Sequence, residues 1–312
     1  DGVTWLQINR GSVAGGGDNY STFTGRSAVA RTSQGQCNFT LYEGDSIYGE
    51  LVITDEASAT LPFYFKMTGT GALADRTYFA KLITVDSTVY PTTCIIHDKH
   101  LVVAGDSNNP NTIYYSGTND IDDFTTTGSG TIKLDDKVIG LRSFREDLVI
   151  FCKNSIYKLQ NINNSSTIVV TPVTKNVGCL DNHTIQEIGG DLVFLSPDGV
   201  RTIAGTTRIG DVELSSVSRQ IQPIINDIAS SIDGYVMESV IIRQKSQYRL
   251  FYTTTSEASS SAKGIIGSLT SNGYEWSETK GIQCRAVTSG FNYAGVEKTY
   301  HGDNDGYVYV HD

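Results

Sequence analysis

Short apolar runs alternate with polar turns along this chain, and one hairpin of this kind defines the pattern. Asp191 is followed by the apolar residues 192–195, residues 196–199 read Ser-Pro-Asp-Gly, and a second alternating run follows at 200–203. Proline presets φ and glycine accepts a positive φ, so the tetrapeptide has the chemistry of a tight turn. The β-branched and aromatic residues on both sides favour strands. The stretch therefore predicts a β-hairpin.

The hairpin pattern recurs about 44 to 57 residues apart. The hairpins begin near Leu101, Asp147, Asp191, Tyr248 and Lys298. Another short apolar run precedes each of them, at 93–96, 138–141, 184–188, 240–242 and 282–286. This interval is typical of propeller blades with four strands each. We predict an all-β chain that forms a β-propeller of about five to seven four-stranded antiparallel blades.

The N-terminal part of the chain follows this spacing less clearly. Residues 1–9 alternate as one strand, which we expect to close the propeller by completing its last blade. Residues 10–90 contain further strand-like runs without a clear hairpin interval. They are either degenerate blades or a β-rich insertion near the N-terminus. Residues 91–312 carry the regular blades.

One segment has helical periodicity. Ile221, Ile224, Ile225 and Ile228 lie at the i, i+3, i+4 and i+7 positions of residues 218–228. Pro223 is tolerated near the start of a helix. We predict a helix that packs its isoleucine face over the edge of a blade, with docking of a partner as the alternative.

The composition indicates which partners the chain is not expected to bind and in which redox compartment it is made. The net charge is −10 and no lysine or arginine cluster is present, which disfavours stable binding to nucleic acid or to an anionic membrane. The five cysteines lie far apart without a CxxC pair, so we expect buried free thiols made in a reducing compartment. We see no signal peptide and no apolar run long enough to span a bilayer.

Asp303 and Asp305 stand in an Asp-Asn-Asp-Gly turn that resembles part of a calcium loop. The pattern is incomplete, because His301 occupies the place of the first acid and the distal acid would be Asp312. Asx residues and glycine are also ordinary turn chemistry. Calcium at Asp303 and Asp305 is the one cofactor that the sequence suggests, with a plain turn and no cofactor as the alternative.

Two further pairs of residues are candidates for binding. Tyr274 and Trp276 follow a turn and offer stacking faces for a carbohydrate, with core packing as the alternative. His97 and His100 flank another turn, where a metal pair is conceivable but surface turn residues are expected. Gly-x-Ser-x-Gly, His-Glu-x-x-His and P-loop motifs are all missing. We therefore expect no enzymatic activity, and a glycosidase would need a carboxylate pair that the sequence does not offer.

The order of runs within about residues 92–230 resembles the β-propeller of tail tubular (nozzle) proteins of short-tailed bacteriophages and related virion proteins. The runs that carry this resemblance lie at 101–105, 112–116, 122–124, 139–141, 147–151 and 154–157, followed by the Leu-Ser-Pro-Asp-Gly-Val hairpin at 195–200. The resemblance implies a non-enzymatic structural subunit at the tail or neck, or a fibre-attachment component, that forms a ring of several copies.

The same resemblance implies other virion proteins as partners and the virion as the location, after synthesis in the host bacterial cytoplasm. DNA would pass through the lumen without specific binding, because an acidic wall repels phosphate and keeps the duplex mobile. No membrane is involved in this interpretation. The alternative is a carbohydrate-binding propeller that recognises a host surface.

Overall fold

Six sheets, each built from strands consecutive in sequence, make up the computed structural model. It describes residues 36–43, 50–56, 61–68, 77–203, 217–254, 262–292, 294–303 and 307–311. The first sheet consists of β1 (Cys37–Tyr42), β2 (Glu50–Asp55), β3 (Phe63–Thr68) and β4 (Thr77–Leu82). The second consists of β5 (Thr93–His97), β6 (His100–Ala104), β7 (Thr112–Tyr115) and β8 (Gly130–Lys133).

The remaining four sheets follow the same meander order. The third consists of β9 (Val138–Phe144), β10 (Asp147–Cys152), β11 (Ile156–Gln160) and β12 (Val169–Thr174). The fourth consists of β13 (Gln186–Ile188), β14 (Asp191–Ser196) and β15 (Gly199–Thr202). The fifth consists of β16 (Tyr235–Ile242), β17 (Gln247–Thr254), β18 (Lys263–Thr270) and β19 (Gly273–Lys280). The sixth consists of β20 (Ala286–Phe291), β21 (Glu297–Gly302) and β22 (Val308–His311).

Successive meander sheets are the arrangement of β-propeller blades, so the predicted fold class is confirmed. All five predicted hairpins are present, as β6–β7, β10–β11, β14–β15, β17–β18 and β21–β22. Within the described residues, the fourth and sixth sheets have three strands and not the four that we predicted.

The prediction of a strand at residues 282–286 is wrong. β20 begins only at Ala286, and the residues before it form a connection whose Cys284 is fully buried against Val240 and Phe251. A short apolar run looks the same in sequence whether it is a strand or a buried connection. Burial of this loop against the fifth sheet explains its apolar residues.

The strand-like runs between residues 36 and 83 form the first sheet, with β1 paired to β2, β2 to β3 and β3 to β4. The predicted closing strand at 1–9 lies outside the described residues. The division of the chain at residues 10–90 and 91–312 stays a prediction.

The chain divides into two compact units, Asp1–Ser143 with Asn161–Val169, and Phe144–Gln160 with Val170–Asp312. The first unit has a core of Val52, Ile83, Leu101 and Val103. The second has a core of residues from the fourth and fifth sheets together with one helix, α1 (Gln222–Ser230). Each core is made by the inward positions of alternating strands.

Helix α1 confirms the predicted helical segment. Ile225 and Ile228 are fully buried, and Ile224 packs against the same cluster. The three residues before α1, Arg219–Ile221, form a 3-10 turn, and Pro223 lies in the first turn of the helix, where its missing N–H is tolerated. No helix in the described ranges is long and apolar enough to cross a membrane.

Candidate functional site

A group of basic side chains lies on the face of the sixth sheet that packs against the fifth. Thr299 pairs with His311 and His301 pairs with Tyr309, so both histidines lie on one face of β21 and β22. Nε2 of His311 is 2.7 Å from Nδ1 of His301. Nη1 of Arg249, from β17, is 3.3 Å from Nδ1 of His311. We call Arg249, His301 and His311 the histidine cluster.

The hydrogen positions in the histidine cluster follow from its geometry. Arginine only donates, so Nδ1 of His311 accepts and the hydrogen of this neutral imidazole is on Nε2. That hydrogen is donated to Nδ1 of His301, which leaves the hydrogen of His301 on its own Nε2. The chain of hydrogen bonds therefore requires both imidazoles to be neutral.

The environment keeps these imidazoles neutral at pH 7. Burial, then repulsion from His301 in its protonated form, and then the positive charges of Arg249 and Lys245 lower the pKa of His311 to about 4. Burial also lowers the pKa of His301, and the carboxylate of Asp303 partly opposes this. Arg249 is consequently the fixed charge of the histidine cluster.

Arg249 is half-buried, and the partners it binds are neutral. Its Nε and Nη2 donate to Oε1 of Gln247, at 3.2 and 2.8 Å, in addition to the bond to His311. Burial lowers the pKa of its guanidinium. In the part of the chain that the structure describes, no carboxylate lies within ion-pair distance of Arg249. Among the residues that the structure describes, its positive charge therefore has no counter-ion.

Two adjacent cavities share His311 as a wall. One, of about 260 Å³, is lined by Arg249, Ile282, His301, Val310 and His311. The other, of about 160 Å³, is lined by residues of the turn between β16 and β17 and of β21, including Lys245, Glu297 and Lys298. The larger cavity is lined by both polar and apolar residues.

The Glu297 carboxylate in the smaller cavity is already occupied. Its Oε1 accepts from the backbone N–H of Arg243 at 2.9 Å and from Oγ of Ser289 at 3.1 Å. Its Oε2 accepts from the backbone N–H of Gln244 at 2.8 Å. Burial raises the pKa of Glu297, but these hydrogen bonds lower it by more, so the net pKa is below its usual value. Glu297 thus ties β21 to the β16–β17 turn.

The opposite face of the sixth sheet carries apolar side chains that no other described residue covers. Tyr300 pairs with Val310, and Val308 lies two residues before it on the same face. Tyr300, Val308 and Val310 are 39%, 62% and 48% exposed. We call these three residues the outer face. Phe39 and Leu41 of β1, in the other compact unit, are also exposed, at 59% and 53%.

Tyr274 and Trp276, predicted as stacking faces, lie together on β19. Their rings stack at 5.6 Å, and Nε1 of Trp276 donates to the backbone oxygen of Val217 at 2.6 Å. Burial, and then the charge of Asp191, raises the pKa of Tyr274 to about 12. Both rings are half-buried and pack against the core of the second unit. This packing gives them a structural role, and their binding of a ligand stays a prediction.

Asp303, predicted as a calcium ligand, closes the turn between β21 and β22. Its Oδ1 accepts from the backbone N–H of Tyr307 at 2.9 Å. Asp305 lies outside the described residues. Among the residues with described positions, no group of three or more His, Cys, Asp or Glu side chains could hold a metal ion. Calcium at this turn stays a prediction.

The expectation that His97 and His100 are surface residues is wrong. They pair with each other across the β5–β6 turn, where Asp98 and Lys99 have φ of 47° and 67°, and both imidazoles are buried. The ring nitrogens of His100 contact the backbone oxygen of Ser116 at 2.6 Å and Oδ1 of Asn163 at 2.9 Å. These contacts are those of a packed, hydrogen-bonded core histidine.

The histidine cluster was not predicted from the sequence. The spacing of His301 and His311 across a predicted hairpin was a usable signal, because positions on facing strands share a face. Arg249 had no local signal, since it is 62 residues from His311 in sequence.

Comparisons with solved structures give distant likenesses. The chain is similar to the N-terminal domain of Nup159, with 12% identity, 88% of this chain and 73% of that chain covered, and a TM-score of 0.44. It is also similar to a mutant of AofleA from Arthrobotrys oligospora, with 8% identity, coverage of 88% and 82%, and a TM-score of 0.40. A third is KlHsv2 with a replaced loop, with 12% identity, coverage of 77% and 70%, and a TM-score of 0.36.

None of these three is a phage protein, and likenesses this distant carry no argument about function. No protein-family model matches the chain, and no curated protein matches it in sequence. By its own succession of meander sheets, the chain is an all-β protein of the β-propeller class.

Proposed function

We propose that this chain is a non-enzymatic structural subunit of a bacteriophage particle, which assembles with further copies of itself into a ring at the tail or neck. The observation that supports this proposal most directly is the uncovered outer face of the sixth sheet. Contiguous exposed apolar side chains commonly mark surfaces that bind another protein.

The position of the exposed apolar residues favours head-to-tail association. The outer face is on the sixth sheet, and the exposed pair Phe39 and Leu41 is on β1 of the first sheet. When one surface of a subunit binds a different surface of the next copy, the assembly closes into a ring if the rotation between copies closes, and grows into an open filament if it does not. We therefore assign the β1 surface of a second copy as the occupant of the outer face.

The acidic charge suits such a ring. With a net charge of −10, a lumen wall repels the phosphates of DNA, so a duplex passes without specific binding. The other parts of the proposal are further virion proteins as neighbours, synthesis in the host bacterial cytoplasm, and no cofactor. They rest on the sequence resemblance to tail tubular proteins.

Sedimentation equilibrium of the purified chain tests the assembly. We expect a discrete oligomer, which the double variant Val308→Lys and Val310→Lys converts to a monomer because it places charges in the apolar contact. Leu269→Lys, at an exposed position of β18 away from the outer face, is the control and should leave the oligomer intact.

A monomer at every concentration, or an oligomer that the double variant does not affect, would contradict the proposal. The virion assignment needs a second experiment, which is gold-labelled antibody against the chain viewed by electron microscopy on short-tailed phage particles. Labelling of the tail or neck is the expected result, and absence of label from every part of the particle would exclude this location.

A carbohydrate-binding propeller is the second candidate, because Tyr274 and Trp276 lie stacked on a surface strand. A glycan array tests this candidate. Binding that is lost in Tyr274→Ala without a change in melting temperature would favour it, and no binding to densely displayed glycans would remove it.

A further inference from the structure

The larger cavity of the histidine cluster has the features of an anion site. We infer that the cavity lined by Arg249, Ile282, His301, Val310 and His311 binds a small organic carboxylate, with its charge on Arg249 and its apolar body on Ile282. His301 and His311 lie on the face of the sheet opposite the outer face, whereas the side chain of Val310 belongs to the outer face, so the variants that test this inference leave Val310 unchanged.

The uncompensated charge of Arg249 is the first argument. Among the described residues its partners are the neutral groups of Gln247 and His311. A half-buried charge without a counter-ion is unfavourable, and a ligand carboxylate would supply the missing negative charge.

The free donors of Arg249 are the second argument. A guanidinium has five N–H groups, and the three bonds described above use three of them, which leaves two for a ligand. The fork of a guanidinium matches the two oxygens of a planar carboxylate. Arg249 is held in place by Gln247 and His311 before any ligand arrives, so little side-chain freedom is lost on binding.

The walls of the cavity define the rest of the ligand. Ile282 is aliphatic, so it favours a carboxylate attached to a short apolar body over a fully hydrated inorganic anion. The Glu297 carboxylate does not compete for Arg249, because both of its oxygens accept hydrogen bonds from other groups. The cavity is open to solvent, and its volume of about 260 Å³ suits a small ligand.

Binding should be linked to the protonation of the two histidines. The charged groups that face them are Arg249 from β17, Lys245 from the turn before β17, and Asp303 after β21, and Glu297 and Lys298 line the adjacent cavity. A bound anion offsets the repulsion from Arg249 and Lys245, so it raises the affinity of the imidazoles for protons. By linkage, the carboxylate should bind more tightly at about pH 5.5 than at about pH 7.5.

Imidazole NMR signals of the full chain test the inference, with butyrate as the probe and butyramide as its neutral isostere. At about 10 mM, a site of millimolar affinity is mostly filled. Butyrate should shift the His301 and His311 signals and leave the His183 signal unchanged, whereas butyramide and inorganic phosphate should shift none of them.

Two variants distinguish binding at this cavity from a general effect of salt on the histidine signals. Arg249→Gln should abolish the response to butyrate, or weaken it at least about tenfold, a change that corresponds to about 1.4 kcal/mol. Arg285→Gln, which changes another half-buried arginine of the same unit, should keep it. The inference is overturned if no signal shifts, if butyramide or phosphate acts as butyrate does, or if Arg249→Gln responds like the unchanged chain.

Discussion

Arg201 and Arg249 are both arginines on strands that take part in hairpins, but their charges are treated differently. Arg201 on β15 is only 4% exposed, and its Nε donates to Oδ1 of Asp198 at 2.8 Å while its Nη2 binds Oδ2. Arg249 on β17 binds a glutamine and a histidine. The charge of Arg201 is therefore balanced by Asp198 within the same hairpin. In the described part of the chain, Arg249 keeps two N–H donors and an unbalanced charge, which a ligand can bind.

The turn chemistry explains the local pair. Asp198 lies in the Ser-Pro-Asp-Gly turn, and Gly199 has φ of 148°, a conformation that L side chains rarely adopt. This turn brings Asp198 back over the strand that carries Arg201, three residues later. The hydrogen bond from Arg201 is the main cause that lowers the pKa of Asp198. The buried charge of Arg201 is therefore stabilised by the carboxylate of Asp198, which lies in the turn of the same hairpin.

Among the variants that test this comparison, Arg201→Met should have the largest effect on stability. We expect the free energy of unfolding to fall by about 1–3 kcal/mol, because two charge-assisted hydrogen bonds are lost at a buried site. Urea denaturation measures the change. Arg249→Met is the matched control, and equal losses for the two variants would show that the ion pair makes no difference.

The variant Glu297→Gln tests the carboxylate in the cavity next to the histidine cluster, which does not pair with Arg249 because its oxygens accept hydrogen bonds from other groups. The amide of glutamine has one acceptor oxygen and places an NH2 donor where the second carboxylate oxygen was. One of the two hydrogen bonds from the backbone N–H groups of Arg243 and Gln244 is therefore lost, and we expect a loss of about 1 kcal/mol. Thermal unfolding measures this loss. Glu278→Gln, at an exposed position of β19, should leave the melting temperature unchanged, and the same drop in both variants would contradict the role given to Glu297.

The histidine cluster should make stability depend on pH. The pKa of His311 is lowered from 6.5 to about 4 on folding, so the unfolded chain binds more protons between these values. Stability is therefore complete above about pH 6.5 and falls as the pH drops toward 4. Urea midpoints at several pH values measure the slope, which should be smaller in His311→Gln. Identical slopes would exclude the proposed depression of this pKa.

Arg249→Met should have the smallest effect. The variant loses hydrogen bonds to Gln247 and His311 but also removes a half-buried charge without a counter-ion. These effects oppose each other, so the free energy of unfolding should change by less than about 0.5 kcal/mol. A loss as large as that of Arg201→Met would mean that Arg249 is structural and not available to a ligand.

The hairpins were predictable because alternation and turn chemistry are local properties. The isoleucine spacing likewise gave α1, and the run at 184–188 gave β13, although β13 begins only at Gln186. The polar turn between His97 and His100 suggested exposure, whereas cross-strand pairing buries both rings. Contacts such as that of Arg249 with His311 depend on which faces of two sheets meet, and one sequence does not encode this in any nearby residue.

Trp276 covers Gly267 on the neighbouring strand, where a Cβ would lie within 2.7 Å of the indole ring, while its N–H reaches Val217 just before the helical segment. The emission of this indole should therefore report whether the segment leading into α1 is docked on the fifth sheet. Detachment of that segment would expose the ring to water and shift its fluorescence to longer wavelength, which gives a built-in optical signal for local opening.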